Sequence, residues 1–294
     1  MDPSVDGISE VSVHIALPKG RMQEGIFQLF GDAGIKIRVD ERGYRPTLGM
    51  AGFDAKILKP QSIVEMLHVG RRDVGFAGAD WVSELGAQLV ELLDTGLDPV
   101  RIVAAAPESM VVDGQLPARP LTVASEYEQL TRRWIASRAM SATFVRSYGA
   151  TEVFPPEDAD VIVDNCASGH TLKANHLAIV DEIMRSSTRF YAHPRALDNP
   201  VKRERIEDLV MLLRSVLDAR QRVLLEVNVS AADLERLIEV LPCMRQPTIA
   251  RLHGDNGYAV KAAVPHKDLP RLIPQLRARG GTDIIVARLA QIIP

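Results

Sequence analysis

The chain has 294 residues, of which 46% are hydrophobic and 25% are charged, as in an ordinary globular protein of two or three domains. The formal net charge of -3 argues against a broad basic surface, so nucleic acid is not an expected partner. No uninterrupted run of about 18 apolar residues occurs, so no membrane span is expected.

The two cysteines, Cys166 and Cys243, are too few for a disulfide framework and favour a reducing, cytoplasmic location. Neither cysteine has another Cys or a His at the spacing of a zinc site, so no structural zinc is expected. Residues 1–10 are acidic and polar, unlike a signal peptide, and they predict a frayed tail.

The first predicted unit is a buried strand, Val11 to Leu17, followed by a turn and a helix, Met22 to Asp32. Lys19 and Arg21 lie in the turn, at the carboxyl end of the strand. Ligands bind at that edge in open α/β sheets. The alternative interpretation is two solvated basic residues without a ligand.

A second strand, Asp73 to Gly78, ends in small residues before a predicted helix, Trp81 to Leu85. Asp80 is placed to cap that helix, so packing and capping explain this loop without a ligand. The α/β pattern continues, with Asp94 to Pro99 interpreted as a loop. Further strands are predicted at Phe53–Leu58, Leu89–Leu93, Val100–Ala106, Leu121–Ala124 and Thr143–Val145, and further helices at Gln61–His68 and Glu126–Ser137.

The stretch from Asp160 to Asn175 has the layout of a phosphate cradle. An apolar run ends on Asp164, a turn of Ser168-Gly169-His170-Thr171 follows, and a helical pattern starts at Leu172. Backbone N–H groups at a helix N-terminus favour an anion, and glycine lets the backbone approach it closely. The alternative is an ordinary strand, turn and helix in which a hydroxyl merely caps the helix.

The remaining chain predicts a strand at Thr188 to Tyr191, a long helix from Asn199-Pro200 to about Ala219, and a separate module after Arg220. The pattern between Leu177 and Met184 is too irregular to assign. The module has the order β-α-β-β-α-β of a ferredoxin-like fold, with Asn256-Gly257 as a hairpin turn. Its elements are Arg222–Val229, Leu234–Val240, Thr248–Leu252, Tyr258–Val264, Lys267–Arg279 and Asp283–Ala287. A regulatory domain and a plain oligomerisation domain both fit this order.

Three stretches, Leu17 to Met22, Arg72 to Val82 and Val163 to Asn175, together resemble the ATP phosphoribosyltransferase family. The resemblance runs from about Val11 to Ile293, and the tail resembles the regulatory domain of the long form. It implies two α/β domains around a cleft, as in periplasmic binding proteins, plus a C-terminal ferredoxin-like (ACT-like) domain. The implied bounds are 11–102 for catalytic domain I (completed by about 190–219), 103–189 for catalytic domain II and 221–294 for the regulatory domain.

The resemblance implies transfer of phosphoribose from 5-phosphoribosyl-1-pyrophosphate (PRPP) to N1 of ATP, with release of pyrophosphate and with Mg²⁺ as cofactor. This reaction is the first step of histidine biosynthesis. A cytoplasmic homohexamer built from dimers and inhibited by histidine is also implied. Two alternatives stay open, a solute-binding module of the same architecture and a catalytically silent paralogue that regulates a partner.

The resemblance also implies roles for individual residues. Lys19 and Arg21 would face the pyrophosphate or the ATP phosphates, and Asp164 would take the ribose hydroxyls or the metal, with Glu152 as a second candidate. The PRPP site comprises Glu152, Asp164, Ala167, Ser168, Gly169, His170, Thr171 and Leu172; the ATP side comprises Gly20, Gly78 and Asp80; and the histidine site comprises Asn228 and Thr248.

The chain departs from the family pattern in two places. Asn165 and Cys166 follow the aspartate where the family usually has aliphatic residues, and Cys166 is expected to be a small packing residue. The stretch from Leu92 to Arg101 differs from the family's usual glycine-rich run. No general base is identified.

Overall fold

The structure is a computed structural model that describes residues 11–39, 43–244, 246–254 and 257–293. The predicted frayed tail, residues 1–10, and Asn256 of the predicted hairpin turn lie outside these residues. The chain divides into two compact units, Met1–Gln28 with Ile35–Asp208, and Leu29–Gly34 with Leu209–Pro294. The bounds given above for the three domains stay a prediction.

The described residues form strands and helices in alternation through most of the chain. The strands are β1 (Val13–Pro18), β2 (Ile37–Arg38), β3 (Thr47–Leu48), β4 (Phe53–Leu58), β5 (Val74–Gly78), β6 (Val90–Pro107), β7 (Leu121–Ser125), β8 (Ala142–Arg146), β9 (Val161–Cys166), β10 (Leu177–Ala192), β11 (Arg222–Val229), β12 (Thr248–Arg251), β13 (Tyr258–Pro265) and β14 (Thr282–Arg288). The helices are α1 (Arg21–Asp32), α2 (Pro60–His68), α3 (Ala79–Leu85), α4 (Glu128–Ser137), α5 (His170–Ala174), α6 (Pro194–Asp198), α7 (Pro200–Arg220), α8 (Leu234–Ile238) and α9 (Leu269–Ala278). Among the described residues, no helix combines the length and the apolar character that a membrane crossing requires.

The first unit contains an eight-stranded sheet in the order β4-β1-β5-β10-β6-β9-β7-β8. Strands β4, β1 and β5 are parallel and form what we call the first half-sheet. Strands β9, β7 and β8 are also parallel and form the second half-sheet. The long antiparallel strands β10 and β6 lie between them. Apolar runs such as Val161 to Val163 are fully buried, as expected for parallel strands covered on both faces.

The register of the central ladder brings the carboxyl ends of the two half-sheets together. Gly78, at the end of β5, pairs with Thr188 of β10, and Cys166, at the end of β9, pairs with Arg101 of β6. Arg101 in turn pairs with Arg185, three residues before Thr188. The loops that follow both half-sheets therefore face a common region. The predicted α/β architecture is confirmed, and ligand binding at this edge stays a prediction.

The predicted break between two strands at Asp94 to Pro99 is wrong, because β6 runs through it and pairs with an equally continuous β10. Register shifts accommodate the turn-favouring residues as a bulge. Gly96 N–H donates to Asp94 Oδ1 at 2.9 Å, and the Asp98 carboxylate accepts a bond from the Thr188 hydroxyl at 2.8 Å. The turn signals thus mark a real local distortion that does not end the strand.

The predicted capping role of Asp80 is also wrong. Helix α3 begins at Ala79, its N-cap residue is Gly78, and it has no side-chain cap. The Asp80 side chain is buried instead, with only 4% of the residue exposed, and it bonds to groups outside its own helix. The strand before the phosphate loop is likewise longer than predicted, since β9 continues through Cys166.

The second unit contains the predicted β-α-β-β-α-β module, with the sheet order β12-β13-β11-β14 of a ferredoxin-like fold. Every second residue of β11 is buried against the helices, so the sheet has one apolar face toward the helices and one open face. The core of the module comprises Val223, Leu225, Val227, Val229, Leu237, Val260, Ala262, Val264, Leu272 and Leu276.

Candidate functional site

The loop between β9 and α5 has the geometry of an anion cradle. Gly169 is the N-cap of α5 and has a φ of 80°, a conformation that favours glycine. The helix has no side-chain cap. The nearest substitute is the Ser168 hydroxyl, which accepts from His170 N–H at 3.5 Å, the upper limit of a hydrogen bond. Capping therefore explains this loop poorly, and its backbone donors are available to a ligand.

The loop opens onto a cavity of about 250 Å³. Two residues outside the loop contribute to it, namely Arg21 at the start of α1, which is distant in sequence, and Glu152 in a 3-10 turn, Thr151–Val153. The cavity is lined by Arg21, Glu152, Asp164, Asn165, Cys166, Ala167, Ser168, Gly169, His170, Thr171 and Leu172. Every residue predicted to bind PRPP is therefore in one place, together with one of the two predicted basic residues.

Lys19, the other predicted basic residue, is not among the residues that line this cavity. Its ammonium donates to the Tyr44 hydroxyl at 3.0 Å and lies 4.8 Å from the centre of the same ring. The hydrogen bond from Lys19 lowers the pKa of Tyr44. Gly20, with a φ of 85°, lies in the turn between β1 and α1. Lys19 thus occupies the predicted sheet edge but has its own aromatic partner.

Gly78 and Asp80 also lie at the carboxyl end of the first half-sheet and outside the lining of the cavity. A Cβ atom at Gly78 would overlap the Asp80 carboxylate, so this glycine leaves room for that side chain. Assignment of Gly20, Gly78 and Asp80 to the ATP side stays a prediction.

Asp164 is half-buried in the cavity wall. Burial raises the pKa of its carboxyl to about 6, with the negative charges of Glu152 and Glu126 adding to the effect. Asn165 opposes the shift, because its backbone N–H donates to Asp164 Oδ1 at 2.7 Å and its side-chain amide at 3.1 Å. A cation or a hydroxyl donor from a ligand would reduce the repulsion between these carboxylates.

The position of Glu152 depends on a braced turn after β8. The hydroxyls of Ser147 and Thr151 are 2.7 Å apart, and both residues are buried. Ser147 N–H also donates to the Ser125 carbonyl at 3.1 Å, which ties the turn to the neighbouring strand β7. Ala150, with a φ of 47°, turns the chain into the 3-10 segment. Glu152 is therefore held by packed elements of the second half-sheet.

Cys166 is buried among Ala105, Ile162, Leu172 and Leu177, so it packs in the core as expected. Sequence reasoning did not assign roles to Glu126, Asn165 or Tyr44, which affect Asp164 or Lys19. Glu126 directly follows β7, so the rule that polar residues at strand ends meet ligands would have found it. The sequence gives no comparable signal for the contact of Tyr44 with Lys19.

In the second unit, the two predicted histidine-site residues lie on the open face of the sheet but in separate surroundings. Thr248 lines a cavity of about 310 Å³ with Leu224, Gln246 and Lys261 among its neighbours. Asn228 is not in that lining, and its amide donates to Asp283 at 3.0 Å. Their joint role stays a prediction.

Among the described residues, no three His, Cys, Asp or Glu side chains are grouped so that they could hold a metal ion by themselves. Magnesium commonly binds through one or two carboxylates and completes its shell with water and substrate phosphate oxygens. Asp164 and Glu152, two carboxylates that line the cavity beside an anion cradle, fit that mode of binding.

The fold and the site define an α/β protein with a glycine-containing loop suited to an anion, where two half-sheets meet. A family model described as ATP phosphoribosyltransferase matches residues 59–215, and a HisG C-terminal domain model matches residues 219–291. The chain belongs to the ATP phosphoribosyltransferase family.

Individual relatives agree with the family models. An ATP phosphoribosyltransferase from Chlorobium phaeobacteroides is 34% identical over 294 residues, which is 98% of this chain and 100% of the relative. One from Chlorobaculum parvum is 36% identical over 275 residues, which is 92% of this chain and 94% of the relative. A chain of the ATP phosphoribosyl transferase (HisG:HisZ) complex from Thermotoga maritima is similar in fold, with a TM-score of 0.63 and 24% identity, covering 70% of this chain and 98% of that one.

The substitution Glu152→Gln is expected to lower the pKa of Asp164, because it removes one of the two neighbouring negative charges. The pKa can be followed by carbon NMR of labelled aspartate carboxyls, with Glu157→Gln on the exposed surface as the control. An unchanged Asp164 pKa in Glu152→Gln would contradict this description.

Since the folded-state pKa of Asp164 exceeds the ordinary 3.8, the stability that Asp164 contributes is complete below about pH 4 and is lost as the pH rises through about 6.

Proposed function

We propose that the cavity at the end of β9 is the PRPP site of this chain. The chain is a pentosyltransferase that moves phosphoribose from PRPP to N1 of ATP with release of pyrophosphate, in the first step of histidine biosynthesis. One observation carries the assignment of the site. Arg21, Glu152, Asp164 and an uncapped glycine-containing loop, from three separate parts of the sequence, line a single cavity.

In the proposed mechanism the bond from ribose C1 to the pyrophosphate oxygen breaks while a bond from C1 to adenine N1 forms. Positive charge develops on the ribose and negative charge on the leaving group, so alignment and electrostatics can supply the catalysis. The loop from Ala167 to Thr171 holds the 5-phosphate through backbone donors and hydroxyls. Asp164 accepts hydrogen bonds from the ribose hydroxyls and stabilises the positive ribose. The proton that the adenine loses passes to solvent.

Arg21 would neutralise the departing pyrophosphate, because it is the cationic side chain in the cavity lining. Lys19, held by Tyr44 at the end of β1, would meet the phosphates of ATP at the same sheet edge. Gly20, Gly78 and Asp80 belong to this ATP side of the proposal. Leu172 anchors the loop to the protein core, since it is buried in the same apolar cluster as Cys166.

Mg²⁺ is part of the proposal as a cofactor for which the pyrophosphate would supply most of the oxygen ligands. When bound, the ion would supply charge neutralisation at the leaving group. Asp164, with Glu152 as the second candidate, would contribute the protein oxygens. The raised pKa of Asp164 supports this assignment, because burial and two neighbouring carboxylates disfavour the ionised carboxyl, which a cation would stabilise.

The regulatory part of the proposal concerns the second unit. A homohexamer built from dimers would be inhibited by histidine at the ferredoxin-like module, through Asn228 and Thr248. Exposed apolar side chains on this module, among them Ile249, Ile285 and Val286, suit contacts between copies. A cytoplasmic location is also proposed, and the two free cysteines support it.

The first test is turnover by the purified chain with ATP, PRPP and Mg²⁺. Pyrophosphate release that requires both substrates, together with a product whose mass equals ATP plus phosphoribose, is expected without any partner protein. Binding of PRPP without release would favour the silent paralogue. Binding of neither substrate would favour a solute-binding module.

The second test concerns the cradle. Gly169→Asp should weaken PRPP binding by tenfold or more, because a negative charge enters an anion site and aspartate must adopt a positive φ at a cost of about 1–2 kcal/mol. Gly114→Asp is the matched control, since Gly114 also has a positive φ and open space around it but lies outside the cavity lining. Calorimetric affinities that match for the two variants would remove the loop from the site.

The third test concerns regulation. If histidine inhibits the purified chain, Thr248→Val should reduce that inhibition while leaving kcat unchanged, because the substitution removes a hydroxyl from the cavity of the second unit but keeps its shape. Gln275→Ala, at an exposed position of α9 outside that cavity and away from Asn228, is the control. Inhibition that persists at full strength in Thr248→Val would place the effector elsewhere.

A further inference from the structure

A polar seam joins helix α3, which follows the first half-sheet, to the start of helix α4, which follows the second. We define the α3–α4 seam by Asp80 and Glu84 on one side and by Tyr127 and the first turn of α4 on the other. Glu84 is only 5% exposed. Its two carboxylate oxygens accept from the backbone N–H groups of Gln129 and Leu130, each at 2.9 Å.

These two bonds give α4 a cap from another helix. The N-cap residue of α4, Tyr127, makes no side-chain cap of its own. A carboxylate at a helix N-terminus satisfies free N–H groups and interacts favourably with the helix dipole. Glu84 therefore fixes where α4 starts relative to α3, and α4 starts only three residues after the carboxyl end of β7.

Asp80 forms the second contact of the seam. The Tyr127 hydroxyl donates to Asp80 Oδ2 at 2.8 Å, and the Ser186 hydroxyl of β10 donates to Oδ1 at 2.6 Å. The ring of Tyr127 also packs on Trp81, with the ring centres 4.8 Å apart. Burial and the charge of Asp80 raise the pKa of Tyr127, so its hydroxyl remains a neutral donor.

A chain of bonds leads from this seam to the PRPP cavity. Tyr127 N–H donates to the Ser125 hydroxyl at 2.9 Å, and that hydroxyl donates to the Val163 carbonyl at 2.6 Å. Val163 directly precedes Asp164 in β9. The position of Asp164 is thus connected, through buried groups, to the helix that follows the first half-sheet.

We propose that Glu84 and Asp80 are positioning residues whose bonds across the α3–α4 seam hold the two half-sheets in the orientation that aligns ATP with ribose C1. This inference rests on the proposed function, which places ATP at the first half-sheet and the ribose at the second. These contacts combine charge-assisted hydrogen bonds with the packing of the Tyr127 ring on Trp81, so they fix the distance and direction between α3 and α4. Within the ATP side of the proposed site, Asp80 acts through its bonds to Tyr127 and Ser186.

The test compares turnover with the occupancy of a single half-site in Glu84→Gln and Tyr127→Phe. Ribose 5-phosphate is the probe, because its groups match the loop and Asp164 of the second half-sheet. Its dissociation constant should change by less than about threefold, whereas kcat should fall about tenfold to a hundredfold, the range expected for misaligned reactants. Tyr127→Phe removes a single hydroxyl, so it serves as the milder variant if Glu84→Gln fails to fold.

Asp181→Asn is the matched control. Asp181 accepts bonds from Trp134 and Arg138 near the far end of α4, each at 2.8 Å, and it links α4 to β10 instead of α3. This variant should lower the melting temperature but keep kcat. An unchanged kcat in Tyr127→Phe, or equal losses of kcat in Asp181→Asn and Tyr127→Phe, would overturn the proposal. Absence of turnover in the unmodified chain would instead contradict the proposed function.

Discussion

The register between β6 and β10 determines where the candidate site lies. These two long strands pair with each other and also with the innermost strand of each half-sheet, so their register determines where the two sets of carboxyl ends lie. A shift of this ladder would move Gly78 away from the level of Cys166 and separate the loops that follow them. In the bulge at residues 94–98 the Thr95 hydroxyl donates to the Thr188 carbonyl and the Asp98 carboxylate accepts from the Thr188 hydroxyl, so the bulge helps to determine this register.

Charge at the site follows from this placement. Asp164 stands where burial and two neighbouring carboxylates raise the pKa, and an uncapped loop beside it presents N–H groups suited to an anion. A ligand with phosphates at both ends and a sugar that becomes positive between them complements both features. Arg21 reaches the same cavity from α1, so in the proposed assignment the charge of the leaving group is neutralised from the first half-sheet as well.

Much of the fold could be predicted because branched apolar runs and alternating patterns mark buried strands. Strand β4 and strand β11 lie at the predicted residues, and the ferredoxin-like order follows from local periodicity. The continuity of β6 could not be predicted, since glycine and aspartate favour turns and only pairing with a distant strand turns them into a bulge. The inward orientation of Asp80 could not be predicted for the same reason, because its partners Tyr127 and Ser186 are distant in sequence. The loop from Ala167 to Thr171 could be singled out from the sequence because its residues are neighbours along the chain, and its role in binding stays a prediction.

The cavity at the end of β9 is proposed to bind PRPP with its 5-phosphate on the loop from Ala167 to Thr171. A crystal structure of the chain with PRPP and Mg²⁺ would decide this. We expect the 5-phosphate within hydrogen-bonding distance of the backbone N–H groups of that loop, the ribose hydroxyls at Asp164, and the pyrophosphate toward Arg21. A 5-phosphate bound elsewhere, with this loop free of ligand, would contradict it.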